Sequence, residues 1–173
     1  MIEVLVTMVI IAFGLLGMAG LQMRMQASEM ESYQRSQALL LLNDMANRIA
    51  VNRNNAASYV IAAASPMGAG MTCPMTTTTT AQRDRGEWCN ALQGAAETSG
   101  VSKVGAMLGG RGCVELAGSD YLVTVAWQGL TPIAAPPASV ACGANSYDGT
   151  SGSTCTGDLC RRTVTTLVRI ATL

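Results

Sequence analysis

The chain contains no histidine, so the commonest metal ligand and the commonest general base are both missing. Phe13 is its only phenylalanine, and aromatics make up 4% of the residues, which leaves any core to be filled by aliphatic and small side chains. Net charge is missing too. Eleven basic and eleven acidic residues cancel, so no overall field draws the molecule to nucleic acid or to an acidic surface. No Cys-x-x-Cys occurs, which together with the missing histidine argues against a zinc site. Between Val4 and Leu21 there is no charged side chain, and between Gln22 and Asn54 there is neither proline nor glycine.

Those last two gaps predict one long helix. Eighteen residues from Val4 to Leu21 give about 27 Å of helix, near the thickness of a bilayer core. A cleaved signal peptide needs a basic region before its apolar run and a small-residue cleavage site after it. Here Met1, Ile2 and the acidic Glu3 come first and Arg24 follows, so the segment is expected to be retained. Beyond Gln22 the residues are mainly good helix formers, and Ala38, Leu41, Leu42, Met45 and Ile49 form one apolar stripe at spacings of three and four. Glu31 and Arg35, four apart, add slight support on the polar side. A single helix of about 50 residues, roughly 75 Å, is expected to project from a membrane into a globular domain, like the stick of a lollipop.

After Tyr59 the composition turns small and polar. The stretch Ala62 to Thr80, ending in five threonines, reads as a loop, and a short helix is expected around Cys89 to Ala96. Tyr121 to Trp127 alternates with a period near two and reads as a strand. Cys113 to Leu116 is its expected hairpin partner across Gly118-Ser119-Asp120. Thr131 to Tyr147, carrying Pro132, Pro136 and Pro137, is a long connection, and Arg162 to Ala171 is a further β-type run. The fold class expected is α+β: a long N-terminal helix packed on a small antiparallel sheet with disulfide-linked loops. The boundaries expected are 1–22 for the membrane-spanning half of the helix, 23–56 for its amphipathic half, and 57–173 for the globular domain.

Six cysteines, Cys73, Cys89, Cys113, Cys142, Cys155 and Cys160, all follow the helix, and an even number there reads as disulfides in an oxidising compartment. Nearness in the chain favours Cys73 with Cys89; the other four are left to pair among themselves. Asp84, Glu87, Glu115, Asp120, Asp148 and Asp158 are scattered through polar segments and read as solvated acids, and Arg83-Asp84-Arg85 and Arg161-Arg162 read as surface charges. No glycine-rich phosphate loop follows a strand, and no nucleophile stands with a base. No catalytic residue, metal site or cofactor is expected, and the protein is read as not an enzyme. The alternative from another class, a membrane-anchored periplasmic redox protein or enzyme, would need a cysteine of low pKa.

Glu3 is the most informative residue. At an interface or a helix N-terminus a carboxylate is mildly favoured; buried among helices it needs a cation, because an unpaired charge in hydrocarbon is costly. The run Ile2-Glu3-Val4-Leu5-Val6-Thr7-Met8-Val9-Ile10 resembles the start of type IV pilins and pseudopilins, in which a Phe-Thr-Leu-Ile-Glu-Val-Leu stretch follows a short leader. Gly14 to Gln22, together with the strand YLVTVAWQ, is similar in particular to PilV-type minor pilins. Aligned on this run, Met1 stands where that family has its third mature residue.

The resemblance implies that Glu3 neutralises the N-terminal ammonium of a neighbouring subunit and so fixes axial register. It implies as partners other minor pilins, the major pilin, the inner-membrane assembly platform, and a prepilin peptidase acting on the leader. It implies inner-membrane residence with a periplasmic domain before assembly, then a place in the pilus. A type II secretion pseudopilin is the nearest alternative. Gly14, Gly17 and Gly20, recurring every third residue, are expected either to bring helices close or to reflect the ordinary tolerance of membrane helices for glycine.

Overall fold

The computed structural model describes residues 2–76, 78–100 and 102–170. Two compact units divide the chain, one ending at Tyr33 and the other running from Gln34. Helix α1 spans Ile2–Val51, the length that the missing prolines and glycines of its second half and the unbroken apolar run of its first half predict.

Within the second unit, Gln34, Ala38, Leu42, Met45 and Ile49 of α1 are buried at spacings of four, four, three and four, with Leu41 packed beside them. A 3-10 helix, Arg53–Tyr59, follows and is broken at Asn55, where φ is −118°. Its last residue, Tyr59, is driven inward and is fully buried.

Helix α2, Thr80–Leu92, begins at the last residue of the stretch read as loop and corrects the helix expected at Cys89–Ala96, which it overlaps only at its C-terminal end. Thr79 caps it: its side chain accepts from the Gln82 amide, while the Gln82 side chain accepts from the Thr79 amide. Ala81, Trp88, Cys89 and Leu92 then turn inward as one face, and the chain leaves the helix at Gly94, whose φ of +77° suits glycine.

The sheet is antiparallel throughout. Strand β1 is Met67–Gly68; a separate two-stranded ribbon pairs β2, Thr98–Ser99, with β3, Ser102–Lys103; the main strands are β4, Arg111–Ala117, β5, Asp120–Gln128, and β6, Arg161–Val168. Their order is β1-β4-β5-β6. The expected hairpin is present, with Ala117 opposite Asp120 and Gly118 at φ +68°. Strand β1 and the ribbon were not legible in the sequence, each strand being two residues long. The last strand begins one residue earlier than Arg162 and ends at Val168; Ala171 lies outside the described residues.

Along β5 five consecutive residues, Val123 to Trp127, are buried, so both faces of the strand are covered there. Val123, Val125 and Trp127 join the core beneath α1. Thr124 and Ala126, on the opposite face, are covered by the connection from Gly129 to Cys160. A Cβ on Gly143 would lie 3.2 Å from that of Ala126, and Tyr147 packs against the same glycine. A sheet covered on both sides carries a continuous apolar run.

Candidate assembly surface

The first unit is helix alone, and a helix satisfies its own backbone polar groups, which is what hydrocarbon demands. It is long and apolar enough to cross a membrane, and none of its apolar window is buried within the chain. Phe13, Leu16 and Leu21 are 71%, 69% and 65% exposed, an apolar surface compatible with membrane anchoring.

Glu3 is exposed in the first turn, where its charge favours the helix N-terminus. Thr7 Oγ1 donates to the Val4 carbonyl at 3.0 Å, so this hydroxyl is satisfied within the helix. Gly14 follows Glu3 by eleven residues, about three turns, and returns to nearly the same face. A Cβ placed on Gly14, Gly17 or Gly20 meets nothing within 4 Å. No contact inside the described chain therefore requires glycine at these positions.

All six cysteines lie in the second unit as three disulfides. Cys73 joins Cys89, Cys113 joins Cys142, and Cys155 joins Cys160. The first ties the loop before α2 onto that helix, and the fit is close: a Cβ on Gly86 would lie 2.5 Å from the Pro74 carbonyl oxygen. The second pins the long connection to the back of β4. The third closes a small loop at the entrance to β6.

Two charge readings are corrected. Arg161 and Arg162 are 3% and 8% exposed, so neither is a surface charge. Arg161 donates to the Val140 and Cys142 carbonyls at 2.6 and 3.1 Å and pairs with Asp158 at 3.1 Å, while Arg162 donates to the carbonyls of Leu159 and Thr131. Both guanidiniums staple the connection to β6. Asp158 is likewise no solvated acid, since it also accepts from the Asn145 amide.

In the Arg83-Asp84-Arg85 run, Asp84 pairs with Arg48 at 2.9 Å and accepts from the Tyr59 hydroxyl. Arg48 also meets Asp44 at 3.0 Å and Glu87 at 2.7 Å, and Asn52 donates to the Tyr59 oxygen at 3.0 Å. Burial alone would lower the Arg48 pKa, but the bonds to Glu87, Asp44 and Asp84 outweigh it and hold the guanidinium above its ordinary value. Burial first, and then the bond to Asp84, push the Tyr59 phenol up.

The sequence reading missed this network, which fastens α2 to α1. Asp44 and Arg48 stand four apart and were legible, but Asp84 and Glu87 are 36 and 39 residues from Arg48. Also missed was Arg111 over the Tyr147 ring, 5.0 Å from its centroid, with the Tyr147 hydroxyl donating to Gly109.

A long apolar N-terminal helix, a four-stranded antiparallel sheet and three disulfides define the class: this is an α+β protein of pilin-like arrangement. Residues 20–96 match the Tt1218-like family model, described as type IV pilin Tt1218, and this match supports a type IV pilin. No curated protein and no solved structure matches the chain significantly.

Proposed function

We propose that this protein is a minor pilin of the PilV kind, a structural subunit that primes or caps a type IV pilus and supports twitching motility and adhesion. The observation that carries the proposal is the uncovered apolar helix from Ile2 onward, bearing Glu3 as its one acidic residue before Glu29. Such a surface serves first as a single-pass inner-membrane anchor, with the disulfide-bonded domain in the periplasm, and then as the packing face within the fibre.

Residues 1–22 take the membrane and filament-core role, 23–56 link that role to the domain, and 57–173 form the globular part. Glu3 pairs with the N-terminal ammonium of a neighbour; in a low-dielectric bundle neither charge is tolerated alone, so the pair sets axial register. Gly14, Gly17 and Gly20 let neighbouring helices approach closely. The partners are other minor pilins, the major pilin and the inner-membrane assembly platform.

The test is fractionation of cells into membranes and sheared pili, with wild-type chain and Glu3→Ala compared. The variant is expected in membranes and missing from pili, and its normal incorporation would refute the charge-pairing role. A wild-type chain never found in pili, with exoprotein secretion lost on deletion, would replace the pilus by a type II secretion fibre.

A further inference from the structure

Methionine is flexible and apolar and normally fills cores. Met45, Met67 and Met107 do so here. Met23, Met25 and Met30 do not: they stand 67%, 62% and 50% exposed on α1. They lie past the apolar run, interleaved with Arg24, Glu29 and Glu31, whose charges belong in water or headgroups and not in hydrocarbon. Met23 and Met30, seven residues apart, share one face of the helix, while Met25 lies on the opposite side. The result is a collar of thioethers around the helix just beyond the segment that lipid can cover. All six cysteines are disulfide-bonded, which places the chain where oxidants act.

We infer that Met23, Met25 and Met30 form an oxidation-sensitive collar, whose conversion to methionine sulfoxide by hydroperoxides stops α1 from packing among other pilin helices. The inference rests on the filament reading above and adds its regulation. In the reaction a thioether sulfur attacks a peroxide oxygen and the O–O bond breaks. The sulfur loses two electrons and gains the oxygen, and the other oxygen leaves as water or alcohol after taking up a proton. An apolar side chain thereby becomes a polar acceptor. Packing the helix would then bury three S–O groups in place of apolar thioethers, and each one left without a donor makes that burial unfavourable. Sulfoxide reduction restores the collar. Once α1 is packed in a fibre, neighbouring helices shield the same sulfurs.

The test compares membrane-pool protein with sheared pili after hydrogen peroxide treatment, reading peptide masses. In membranes Met23, Met25 and Met30 are each expected to gain one oxygen; in pili they are expected to stay largely unmodified. Met45, Met67 and Met107 serve as buried controls in both pools. In cells, peroxide is expected to block incorporation of the wild type but not of the Met23→Leu, Met25→Leu, Met30→Leu triple variant. Equal oxygen uptake in the two pools, or equal peroxide sensitivity of the triple variant, overturns the inference. Should the triple variant fail to assemble untreated, the two-pool comparison decides alone. Failure of the filament reading is distinct: the untreated wild type would then be missing from pili.

Discussion

Gly112 of β4 lies against the indole of Trp88, and replacing it by alanine perturbs the joint between α2 and the sheet with a single methyl. A Cβ there would sit 2.1 Å from Trp88 Cη2, 2.6 Å from Cζ3 and 2.8 Å from Leu92 Cδ1. The backbone of Gly112 is not among those with positive φ, so the substitution introduces no dihedral strain and isolates the steric effect. Trp88 cannot simply withdraw. It is fully buried, and its Nε1 donates to the Leu41 carbonyl at 2.8 Å. Overpacking a close-packed core costs about 1–3 kcal/mol, and an indole anchored at its far end places this case toward the upper figure. For a domain of this size that is a fall of about 4–12 °C in Tm, read by calorimetry in detergent.

Trp88→Leu alone opens a cavity and removes the hydrogen bond, at a cost of about 2–4 kcal/mol. In the double variant the new methyl fills part of that cavity, so the two losses are expected to fall short of additivity by about 1–2 kcal/mol. A Gly112→Ala protein that melts with the parent, or a strictly additive cycle, would refute the packing described for α2.

Further outcomes follow from the polar contacts and the disulfides. Arg48→Met leaves Asp44, Asp84 and Glu87 facing one another; with Asp84 14% exposed and Glu87 54%, a loss of about 1–3 kcal/mol is expected. Adding Asp84→Asn should recover part of it in the same melts, and no recovery would count against the network. Burial pushes the Tyr59 and Tyr147 phenols above their ordinary value of about 10, so the unfolded chain ionises them first. Stability from the neutral phenols is therefore complete below about pH 10 and lost as pH rises through the folded values. The alkaline slope of unfolding free energy should be shallower in Tyr147→Phe. Replacing cysteine pairs by serine should cost least for Cys155–Cys160, which closes a separation of 5, and most for Cys113–Cys142, with 29. Loop-closure entropy gives about 2 and 3.5 kcal/mol, and denaturant midpoints in the reverse order would overturn this ranking.

The sequence by itself determined the elements whose causes are local. An uncharged run from Val4 to Leu21, followed by residues without proline or glycine, can hardly be anything but α1, because a helix pairs each backbone group with one four residues away. The β4–β5 hairpin was equally legible, since two β-type runs flank a turn with glycine at its left-handed position. The start of α2 also has a local cause, the Thr79 and Gln82 capping box, but it was hidden in a run of five threonines that reads as loop.

Tertiary structure alone decided the rest. Six cysteines allow fifteen pairings, and which of Cys113, Cys142, Cys155 and Cys160 meet depends on where β4 and the long connection lie, not on spacing. Arg161 and Arg162 look like solvated charges until the carbonyls of Thr131, Val140 and Cys142 are brought to them across 19 to 31 residues. Arg48 acquires Asp84 and Glu87 only when α2 docks. Hydrogen bonding along the chain and side-chain periodicity are written in neighbouring residues; the partner of a buried charge or a thiol is set by the path of the whole chain.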